Sequence, residues 1–500
     1  MNIEEVKKRK DGLDVLTDIY RYAKLGYKSV SPEDEALFRW YGIYTQRPAE
    51  DGFFMVRLRI PGGTLTPGQL HTIADLSNKY AQGSADITVR QNIQFHWVRI
   101  ESLPEILNSL QNIGLSTTEA CGDCVRNIIS CPVSGVDRNE LFDTSEIINN
   151  VNKFFLGNKE FSNLPRKFKI AITGCSLHCV YPEINDVGVL LDPSEIVEVC
   201  GAIAKVFRDE GNRTNRKRAR LKFLIEKWDV PRFRQEVENR LGRKLTYSSQ
   251  SEYLIPQDRT HSLINNQHNP DLSYVPISVL GGRTSSDELK RLADLAEQCG
   301  SNRIRTTNTQ SIILLDIPNQ KLEPLKQQLD NKGFNYAPSW SRKSIIACTG
   351  TQFCKLAIAE TKTRAAIIND YLEQHVELDT PLRISVTGCP NSCGQHHICD
   401  VGLEGALVHI GETKQEVFQV FLGGGVGKHE SFGKRIGVRI MADKVGESLA
   451  QLFNHYKENR FQDETFQEFC LRHTNQELKR FLGNSAINDN SANKIALAAD

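Results

Sequence analysis

The sequence predicts an α+β protein built from a duplicated unit, so that the chain has the pseudo-twofold order A-B-A′-B′. Two internal repeats support this prediction. Residues 56–98 and 275–317 both read as a strand, a Gly-Gly turn, an amphipathic helix and a strand. The pattern Thr-Gly-Cys, three residues and a second Cys occurs at 173–179 and again at 387–393. Repetition of whole supersecondary units indicates duplication, and mixed helices and strands indicate an α+β class.

The helices of repeats A and A′ are predicted from apolar spacing, and the turns before them from glycine. Apolar residues recur three and four positions apart, which is the period of an amphipathic helix. These residues are Leu70, Ile73, Ala74 and Leu76 in the first copy, and Leu289, Leu292, Leu295 and Ala296 in the second. Gly62 with Gly63, and Gly281 with Gly282, supply the turns because glycine adopts conformations that other residues avoid.

The B repeats follow the A repeats and contain most of the informative cysteines. STTEACGDCVRN precedes the first Thr-Gly-Cys segment, and KSIIACTGTQFCKLAIAET precedes the second. Boundaries near 116, 265 and 340 follow from this order. The predicted domains are an N-terminal extension (1–50), the paired half-domains A and A′ (51–115 with 265–340), domain B (116–264), domain B′ (341–480) and a tail (481–500).

Composition argues against several classes of protein. The 500-residue chain has a formal net charge of +1, so no global field favours nucleic acid or an anionic membrane surface. Its apolar runs are shorter than the roughly 20 residues that span a bilayer, and its start resembles neither a secretory signal nor a transit peptide. We therefore expect a cytoplasmic protein. Its thirteen cysteines then favour metal or redox chemistry over disulfides.

Four cysteines of domain B′ form the strongest candidate metal site. Five residues separate Cys348 from Cys354, and three separate Cys389 from Cys393. Four thiolates suit an iron-sulfur cluster or a structural zinc ion. Zinc ligands usually stand about two to four residues apart, so the wider gap favours iron and sulfur. Zinc, and four buried thiols without a metal, remain alternatives.

At these residues the chain resembles the sirohaem and 4Fe-4S sulfite and nitrite reductase family. ACTGTQFCKLAIAETK and TGCPNSCGQ are similar to its signature, and the A-B-A′-B′ order is similar over most of the chain. The resemblance implies a three-lobed sulfite/nitrite reductase fold with paired ferredoxin-like half-domains, and sirohaem bound by B and B′. It also implies that the four cysteines of B′ hold one 4Fe-4S cluster, with Cys393 bridging to the sirohaem iron. The predicted cofactor contacts are Arg90, Gln91, Asn391 and Cys393.

The cysteines of domain B have a role that the sequence leaves open. Cys175 and Cys179 keep the three-residue gap, whereas Cys121 and Cys124 have only two residues between them. These four are interpreted as relics of the duplication, which we favour, or as ligands of a second 4Fe-4S cluster. Tyr44 is a candidate for a covalent link to Cys124. The other cysteines are assigned to the buried core: Cys131, Cys200, Cys299, Cys399 and Cys470.

Four cations are predicted to hold an oxyanion and to supply it with protons. Arg90 stands in TVRQNIQFH and Arg126 in CGDCVRN, and Lys167 and Lys169 stand in LPRKFKI. The resemblance places substrate binding and proton relay at these positions, and such chemistry requires fixed hydrogen-bonding cations. The two lysines share one face of a predicted strand. Solvated strand ends are the alternative. The basic segment 216–222 is assigned to sirohaem carboxylates, a solvated helix face or docking of an acidic donor.

The resemblance implies a six-electron reductase. We expect reduction of sulfite to sulfide, because the extra cation of Lys169 benefits a dianion with three oxygens more than the smaller nitrite monoanion. Reduction of nitrite to ammonia is the alternative, and a non-catalytic sirohaem-binding sensor or scaffold is the second alternative. The sequence contains no nicotinamide or flavin fingerprint, so we expect the electrons to come from outside the chain. The resemblance implies reduced ferredoxin as the donor, with a flavoprotein subunit as the alternative. We expect a monomer.

Overall fold

The computed structural model describes residues 1–189, 191–246, 260–380, 382–427, 430–483 and 486–488. The chain divides into two units. Unit 1 contains Met1–Pro276, Thr284–Asn308 and Ile312–Gly333, and unit 2 contains Ile277–Arg283, Thr309–Ser311 and Phe334–Asp500. No helix within the described ranges has the length and apolar character needed to cross a membrane.

Unit 1 contains the N-terminal helices, repeat A, repeat B and most of repeat A′. Its helices are Ile3–Arg9 (α1), Leu16–Leu25 (α2), Pro32–Leu37 (α3), Pro67–Tyr80 (α4), Leu103–Asn112 (α5), Ser145–Phe155 (α6), Ile196–Glu210 (α7), Leu221–Trp228 (α8), Val230–Leu241 (α9), Ser286–Cys299 (α10) and Leu322–Asn331 (α11). Its strands, two of which reach one residue into unit 2, are Ile43–Thr45 (β1), Phe53–Arg57 (β2), Thr64–Leu65 (β3), Ser84–Ile87 (β4), Ile93–Arg99 (β5), Ile129–Ser130 (β6), Ala171–Ile172 (β7), Asn265–Asn266 (β8), Leu272–Ile277 (β9), Arg283–Ser285 (β10), Ile304–Thr306 (β11) and Ile312–Pro318 (β12).

The two five-stranded sheets of unit 1 each combine strands from repeats A and A′. Their orders are β1-β2-β5-β4-β10 and β3-β11-β12-β9-β8. The short strand after each Gly-Gly turn thus joins the sheet of the other repeat, as in the antiparallel pairing of Leu65 with Ile304. Helices α4 and α10 pack together, and each begins with a capping box. The predicted duplication of the fold is confirmed.

The Gly-Gly turns are required by close backbone approach. Gly62 and Gly63 have φ of 58° and 71°, in the region where a side chain is strained. A Cβ at Gly63 would also collide with the carbonyl oxygen of Thr306. Glycine therefore lets the turn of one repeat lie against the strand of the other.

Unit 2 is built on one six-stranded sheet. Its strands are Ile345–Ala347 (β13), Ile384–Thr387 (β14), Val401–Ile410 (β15), Thr413–Leu422 (β16), Lys434–Met441 (β17) and Ala486–Asn488 (β18). They lie in sequence order, with β13, β14 and β15 parallel and the rest antiparallel. Its helices are Trp340–Ser344 (α12), Lys362–His375 (α13), Val445–Asn459 (α14), Phe466–Arg472 (α15) and Asn475–Phe481 (α16). One core joins the buried faces of this sheet and these helices.

Each B repeat contains a short parallel strand pair in the same register. Ser130 of β6 pairs with Ile172 of β7, and Ala347 of β13 pairs with Val386 of β14. In both repeats the second strand leads directly into Thr-Gly-Cys. The parallel pairs therefore provide a residue-by-residue correspondence between B and B′.

A glutamine from each A repeat supports the same correspondence. The Gln91 side chain accepts from the Ser130 backbone N–H at 2.9 Å and donates to the Ser130 carbonyl at 2.9 Å. The Gln310 side chain makes the same two bonds with Ala347, both at 2.9 Å. Both glutamines have a positive φ. Ser130 and Ala347 are thus equivalent positions, and the next residue in each repeat is a cysteine.

Candidate functional site

The four predicted cluster cysteines lie beside the parallel strands of unit 2. Cys348 follows β13 and Cys389 follows the Thr-Gly turn after β14. Because these strands are parallel and in register, their carboxyl ends meet at one edge of the sheet, and the two thiols leave from that edge. Cys348, Cys354 and Cys389 are partly or fully buried, whereas Cys393 is exposed.

The surroundings of these thiols suit ligands of an inorganic cluster. The Gly388 N–H donates to Cys348 Sγ at 3.2 Å, and burial raises the pKa of the Cys389 thiol while the neighbouring Asn391 opposes this rise. Burial raises the pKa of Cys348 to about 11, so a positive metal centre is needed to hold it as a thiolate. Hydrogen bonds to ligand sulfurs are among the features that set cluster potentials. Four thiols at one edge of the sheet, one of them with a backbone donor to its sulfur, fit a 4Fe-4S cluster.

The loop between Cys348 and Cys354 is shaped by a glycine. The Cys354 N–H donates to the Gly350 carbonyl at 3.0 Å, and Gly350 has φ of 70°. A Cβ on Gly350 would lie 2.6 Å from the Thr361 hydroxyl, which itself donates to the Cys348 carbonyl at 2.7 Å. The wide spacing of this cysteine pair thus reflects a tight, hydrogen-bonded turn.

Unit 1 brings three of the predicted anion-pocket cations into one electrostatic neighbourhood. Burial, followed by the charges of Arg90 and Lys167, holds the pKa of Lys169 well below its usual range. Burial and the charge of Arg126 lower the pKa of Arg90 to about 9. Like charges affect one another in this way only when they are close and poorly solvated. The Arg90 guanidinium also donates to the carbonyls of Asn127 and Ile170, which follow Arg126 and Lys169 in the chain, so these cations share one region of unit 1.

Arg90 is held by the protein but keeps an unused donor. One guanidinium nitrogen donates to Asn185 Oδ1 at 2.8 Å, and another donates to the carbonyls of Asn127 and Ile170. Its Nε is buried without a hydrogen-bond partner, as is the Nε of Arg220. Buried orphan donors are costly, so two cationic donors that lack a partner in one region fit the binding of an anionic group there.

The segment that carries the two lysines is extended but is not a continuous strand. Phe168 and Ile170 make isolated bridges to Val125 and Val187, and the named strand β7 begins only at Ala171. The prediction of a strand across both lysines was wrong in this respect. Phe168 and Ile170 are fully buried, whereas the lysines between and before them are half-buried, so the shared face of the lysines is retained.

Arg126 lies beside Tyr44 and a cysteine. Burial opposes its charge, but Tyr44, Cys121 and Cys124 together raise the Arg126 pKa. Burial raises the pKa of Tyr44 as well, and Cys121 is the thiol that adds to this rise. Cys124 instead donates to the Cys121 carbonyl at 2.9 Å. The structure thus favours Cys121 over Cys124 as the neighbour of Tyr44.

The basic segment 216–222 has two arginines committed to buried carboxylates. Arg216 forms two bonds to Asp123, at 2.8 Å and 3.1 Å. Arg220 forms two bonds to Asp186, at 3.0 Å and 2.9 Å. Arg220 also lowers the pKa of Lys169 and of Arg90. The position of Arg220 beside Lys169 and Arg90 is consistent with the assignment of this segment to sirohaem carboxylates, which stays a prediction.

The side chain of Gln91, a predicted cofactor contact, is bonded within the protein. It is fully buried, and its amide donates to the carbonyls of Ser130 at 2.9 Å and Thr306 at 3.0 Å. Both amide hydrogens are therefore used within the protein. The bonds of Gln91 give it a role in the scaffold, and its contact with a cofactor stays a prediction.

The hypothesis of a second cluster on Cys121, Cys124, Cys175 and Cys179 also needs correction. The structure groups Cys175 and Cys179 with Cys131 and His261, whereas Cys121 accepts a bond from Arg57 at 2.9 Å. Cys131 had been assigned to the core, and His261 had been overlooked. The signal for Cys131 was present, because Ile-Ile-Ser-Cys at 128–131 matches Ile-Ile-Ala-Cys at 345–348.

Comparison with known protein families covers most of the chain. The model of the nitrite/sulfite reductase ferredoxin-like half domain matches residues 46–113 and 265–332. The model of the nitrite and sulphite reductase 4Fe-4S domain matches residues 121–192, 189–245 and 341–485. The chain belongs to the nitrite and sulfite reductase family. This family implies sirohaem and a 4Fe-4S cluster, and the cysteine environment of unit 2 fits the cluster.

Named members of the family include both sulfite and nitrite reductases. A sulfite reductase [ferredoxin] of Mycobacterium tuberculosis is 34% identical and is aligned over 95% of both chains. Ferredoxin–nitrite reductases of Leptolyngbya laminosa and Synechococcus elongatus are 35% and 36% identical over 90% of this chain and 95% of theirs. The structure of the Mycobacterium tuberculosis NirA protein superposes with a TM-score of 0.90, with 34% identity, 96% of this chain and 97% of that chain covered.

Proposed function

We propose that this protein is a cytoplasmic, ferredoxin-dependent sulfite reductase that converts sulfite to sulfide. The observation that carries the proposal is the close grouping of Lys169 with Arg90 and Lys167 in unit 1. A group of this kind suits an oxyanion with two negative charges better than one with a single charge. Supporting it, no disulfide joins any of the thirteen cysteines, all of which lie within the described ranges, as expected in a reducing compartment.

The proposed division of labour follows from the two kinds of site. Cys348, Cys354, Cys389 and Cys393 would hold the cluster. When bound, the cluster and sirohaem supply the redox centres that pass six electrons to the substrate. Arg90 and Arg126 would bind and orient the anion through charged N–H donors. Each oxygen of the substrate leaves as water and requires protons. We assign the supply of these protons to Lys167 and Lys169.

The low pKa of Lys169 suits it to proton transfer. An ordinary lysine has a pKa of about 10.4 and gives up its proton reluctantly near neutral pH. Burial and neighbouring cations move the pKa of Lys169 downward, which brings it nearer the working pH, where a general acid is most effective. A bound anion shifts the pKa of Lys169 back upward, because it stabilises the ammonium form. Lys169 can therefore bind as a cation and donate as an acid.

Reduction of nitrite to ammonia is the second candidate function. Its specific support is that the two nitrite reductases above are as similar to this chain as the sulfite reductase is. The proposed pocket would also accept a monoanion, because Arg90, Arg126 and Lys167 would hold it without Lys169.

The two candidates are separated by direct product measurement. Holoenzyme purified without oxygen is supplied with reduced ferredoxin and either sulfite or nitrite, and sulfide and ammonia are quantified. We expect the higher kcat/KM with sulfite. A higher value with nitrite would establish the second candidate, and no turnover of either anion by fully loaded protein would favour a sensor or scaffold.

A further inference from the structure

A compact set of metal-ligating side chains lies in unit 1, apart from the cluster cysteines of unit 2. The ligand atoms of Cys131, Cys175, Cys179 and His261 all lie within 4.8 Å of one another. The three cysteines are between 1% and 3% exposed, and the His261 side chain is 4% exposed. His261 Nε2 lies 3.3 Å from Cys131 Sγ and 3.6 Å from Cys175 Sγ. Three thiols and an imidazole therefore converge in a space closed to bulk water.

The duplication explains how three of these residues come together. Cys131 follows Ser130 as Cys348 follows Ala347, and these strand residues occupy equivalent registers. The cysteines of the two Thr-Gly-Cys segments correspond in the same way. The equivalent pairs are Cys131 with Cys348, Cys175 with Cys389, and Cys179 with Cys393. The set in unit 1 is thus the counterpart of the proposed cluster site.

The fourth position is where the two repeats differ. Cys354 lies six residues after Cys348, and the residue six positions after Cys131 is Asp137. Asp137 Oδ2 lies 3.6 Å from His261 Nδ1. Repeat B therefore has no thiol at this position, and His261, near the C-terminal end of domain B, supplies the fourth ligand atom.

The distances favour a single ion over a second cluster. A tetrahedral zinc ion with sulfur at about 2.3 Å and nitrogen at about 2.0 Å places those two ligand atoms about 3.5 Å apart. The observed separations of 3.3 Å and 3.6 Å match this value. A four-iron cluster would spread its ligands further, because the inorganic core lies between them. The four candidate cluster thiols of unit 2, all in the described part of the chain, are more widely spaced, because no three of them lie within 4.8 Å of one another.

Neighbouring groups orient the ligands as in other metal sites. The carboxylate of Asp137 faces His261 Nδ1, so that Nε2 is directed toward the sulfurs, and a carboxylate at this position is a common partner of metal-bound histidine. The Leu177 N–H donates to Cys175 Sγ at 3.4 Å. The ring of Tyr274 packs edge-on against His261, with centroids 6.3 Å apart. A cleft of about 490 Å³ borders the set and is lined in part by His261 and Asp137, but by none of the three cysteines.

We propose that Cys131, Cys175, Cys179 and His261 bind one divalent metal ion of the zinc class. Four protein ligands leave no open position, so the ion has a structural role. It ties the two loops of repeat B that carry the cysteines to the segment that leads into repeat A′. The ion is additional to sirohaem and the 4Fe-4S cluster, and its presence does not depend on which anion the enzyme reduces.

Metal analysis and zinc X-ray absorption of the anaerobically purified full-length holoenzyme test this proposal. We expect one zinc per chain in addition to about five irons, and an absorption spectrum showing three sulfurs at about 2.3 Å and one nitrogen at about 2.0 Å. His261→Cys should keep the zinc and change the shell to four sulfurs. Cys131→Ser should lose most of it. Cys200→Ala, which removes another buried cysteine of unit 1, is the matched control and should keep both zinc and spectrum.

Several results would overturn the proposal. An iron content near nine per chain without zinc would show a second cluster in place of a single ion. A disulfide between two of the three cysteines, found by mass spectrometry of the holoenzyme, would show that the thiols are not ligands. Zinc with a shell unchanged in His261→Cys would show that it binds elsewhere. The His261→Cys variant retains four ligand atoms, so its absorption spectrum tests the proposal even if Cys131→Ser does not fold.

Discussion

Replacing Lys169 with asparagine tests the charge argument for sulfite. At an effective dielectric of about 20, two unit charges 4 Å apart interact by about 4 kcal/mol. Sulfite carries one more negative charge than nitrite, so this value bounds the preference that one cation can give. Arg90, Arg126 and Lys167 remain in the variant, and water enters the space. We therefore expect Lys169→Asn to lose about half of this 4 kcal/mol, which lowers the ratio of kcat/KM for sulfite to kcat/KM for nitrite roughly 10- to 100-fold.

The assay measures kcat/KM for sulfite and for nitrite with the same reduced donor. The ratio of sulfite to nitrite should fall in Lys169→Asn and be largely retained in Lys169→Arg, which keeps the charge. Lys290→Asn is the control, because Lys290 is an exposed lysine of the same unit, paired with Asp75 at 3.7 Å. An unchanged ratio in Lys169→Asn, or the same change in Lys290→Asn, would refute the reasoning.

The contribution of the Lys169 charge to kcat/KM depends on pH with a defined sign. Lys169 is charged below its pKa and neutral above it, and burial with neighbouring cations places that pKa below the usual lysine value. The difference between wild type and Lys169→Asn with nitrite should therefore be largest at low pH and shrink as pH rises through the lowered pKa. A difference that is constant with pH would show that Lys169 acts through packing and not through charge.

Three further predictions concern ligation and stability. Cys393→Ser should abolish turnover and alter the sirohaem absorption spectrum, whereas a serine at the buried Cys399 should leave the spectrum unchanged. Burial raises the pKa of Glu119 to about 7, so ionisation of this carboxyl destabilises the fold as pH rises from the unfolded-state pKa of about 4.3 through 7. Glu119→Gln should therefore raise the midpoint temperature of unfolding above that of wild type at pH 8 and change it little at pH 5. Equal shifts at the two pH values would refute this. The Asp123 side chain is 2% exposed and pairs with Arg216, so Asp123→Asn removes one charge of a buried ion pair. It should lower the free energy of unfolding, measured with denaturant, by about 3–5 kcal/mol, whereas Asp14→Asn, at an exposed position, should lower it little.

Much of the fold was predictable because the duplication repeats short, local patterns. Apolar spacing located α4 and α10, and Gly63 marked a turn that a side chain would block. The extended segment around Lys169 was less predictable, because its neighbours Phe168 and Ile170 make isolated bridges that depend on distant residues. Local sequence shows alternation of faces but not which partner strand completes a ladder.

In the candidate site, too, local sequence predicts some features, and others depend on the tertiary structure. Gln91 belongs to a motif that resembles the family, yet its amide bonds to Ser130 and Thr306, and the sequence could not distinguish support of the scaffold from contact with a ligand. The sequence suggests a link between Tyr44 and Cys124, whereas Cys121 is the thiol that, together with burial, raises the pKa of Tyr44. Both differences arise because a side chain chooses its partner by orientation, which spacing along the chain does not specify.

The sequence by itself determined the family, the duplicated α+β architecture and the cysteines of the proposed cluster, because two thiols a few residues apart on one turn already face the same way. Only the tertiary structure joined His261 to Cys131, Cys175 and Cys179, which are 130 residues apart at their widest in the chain. Convergence over such distances depends on strand register and on the packing of separate elements, and no local pattern encodes either.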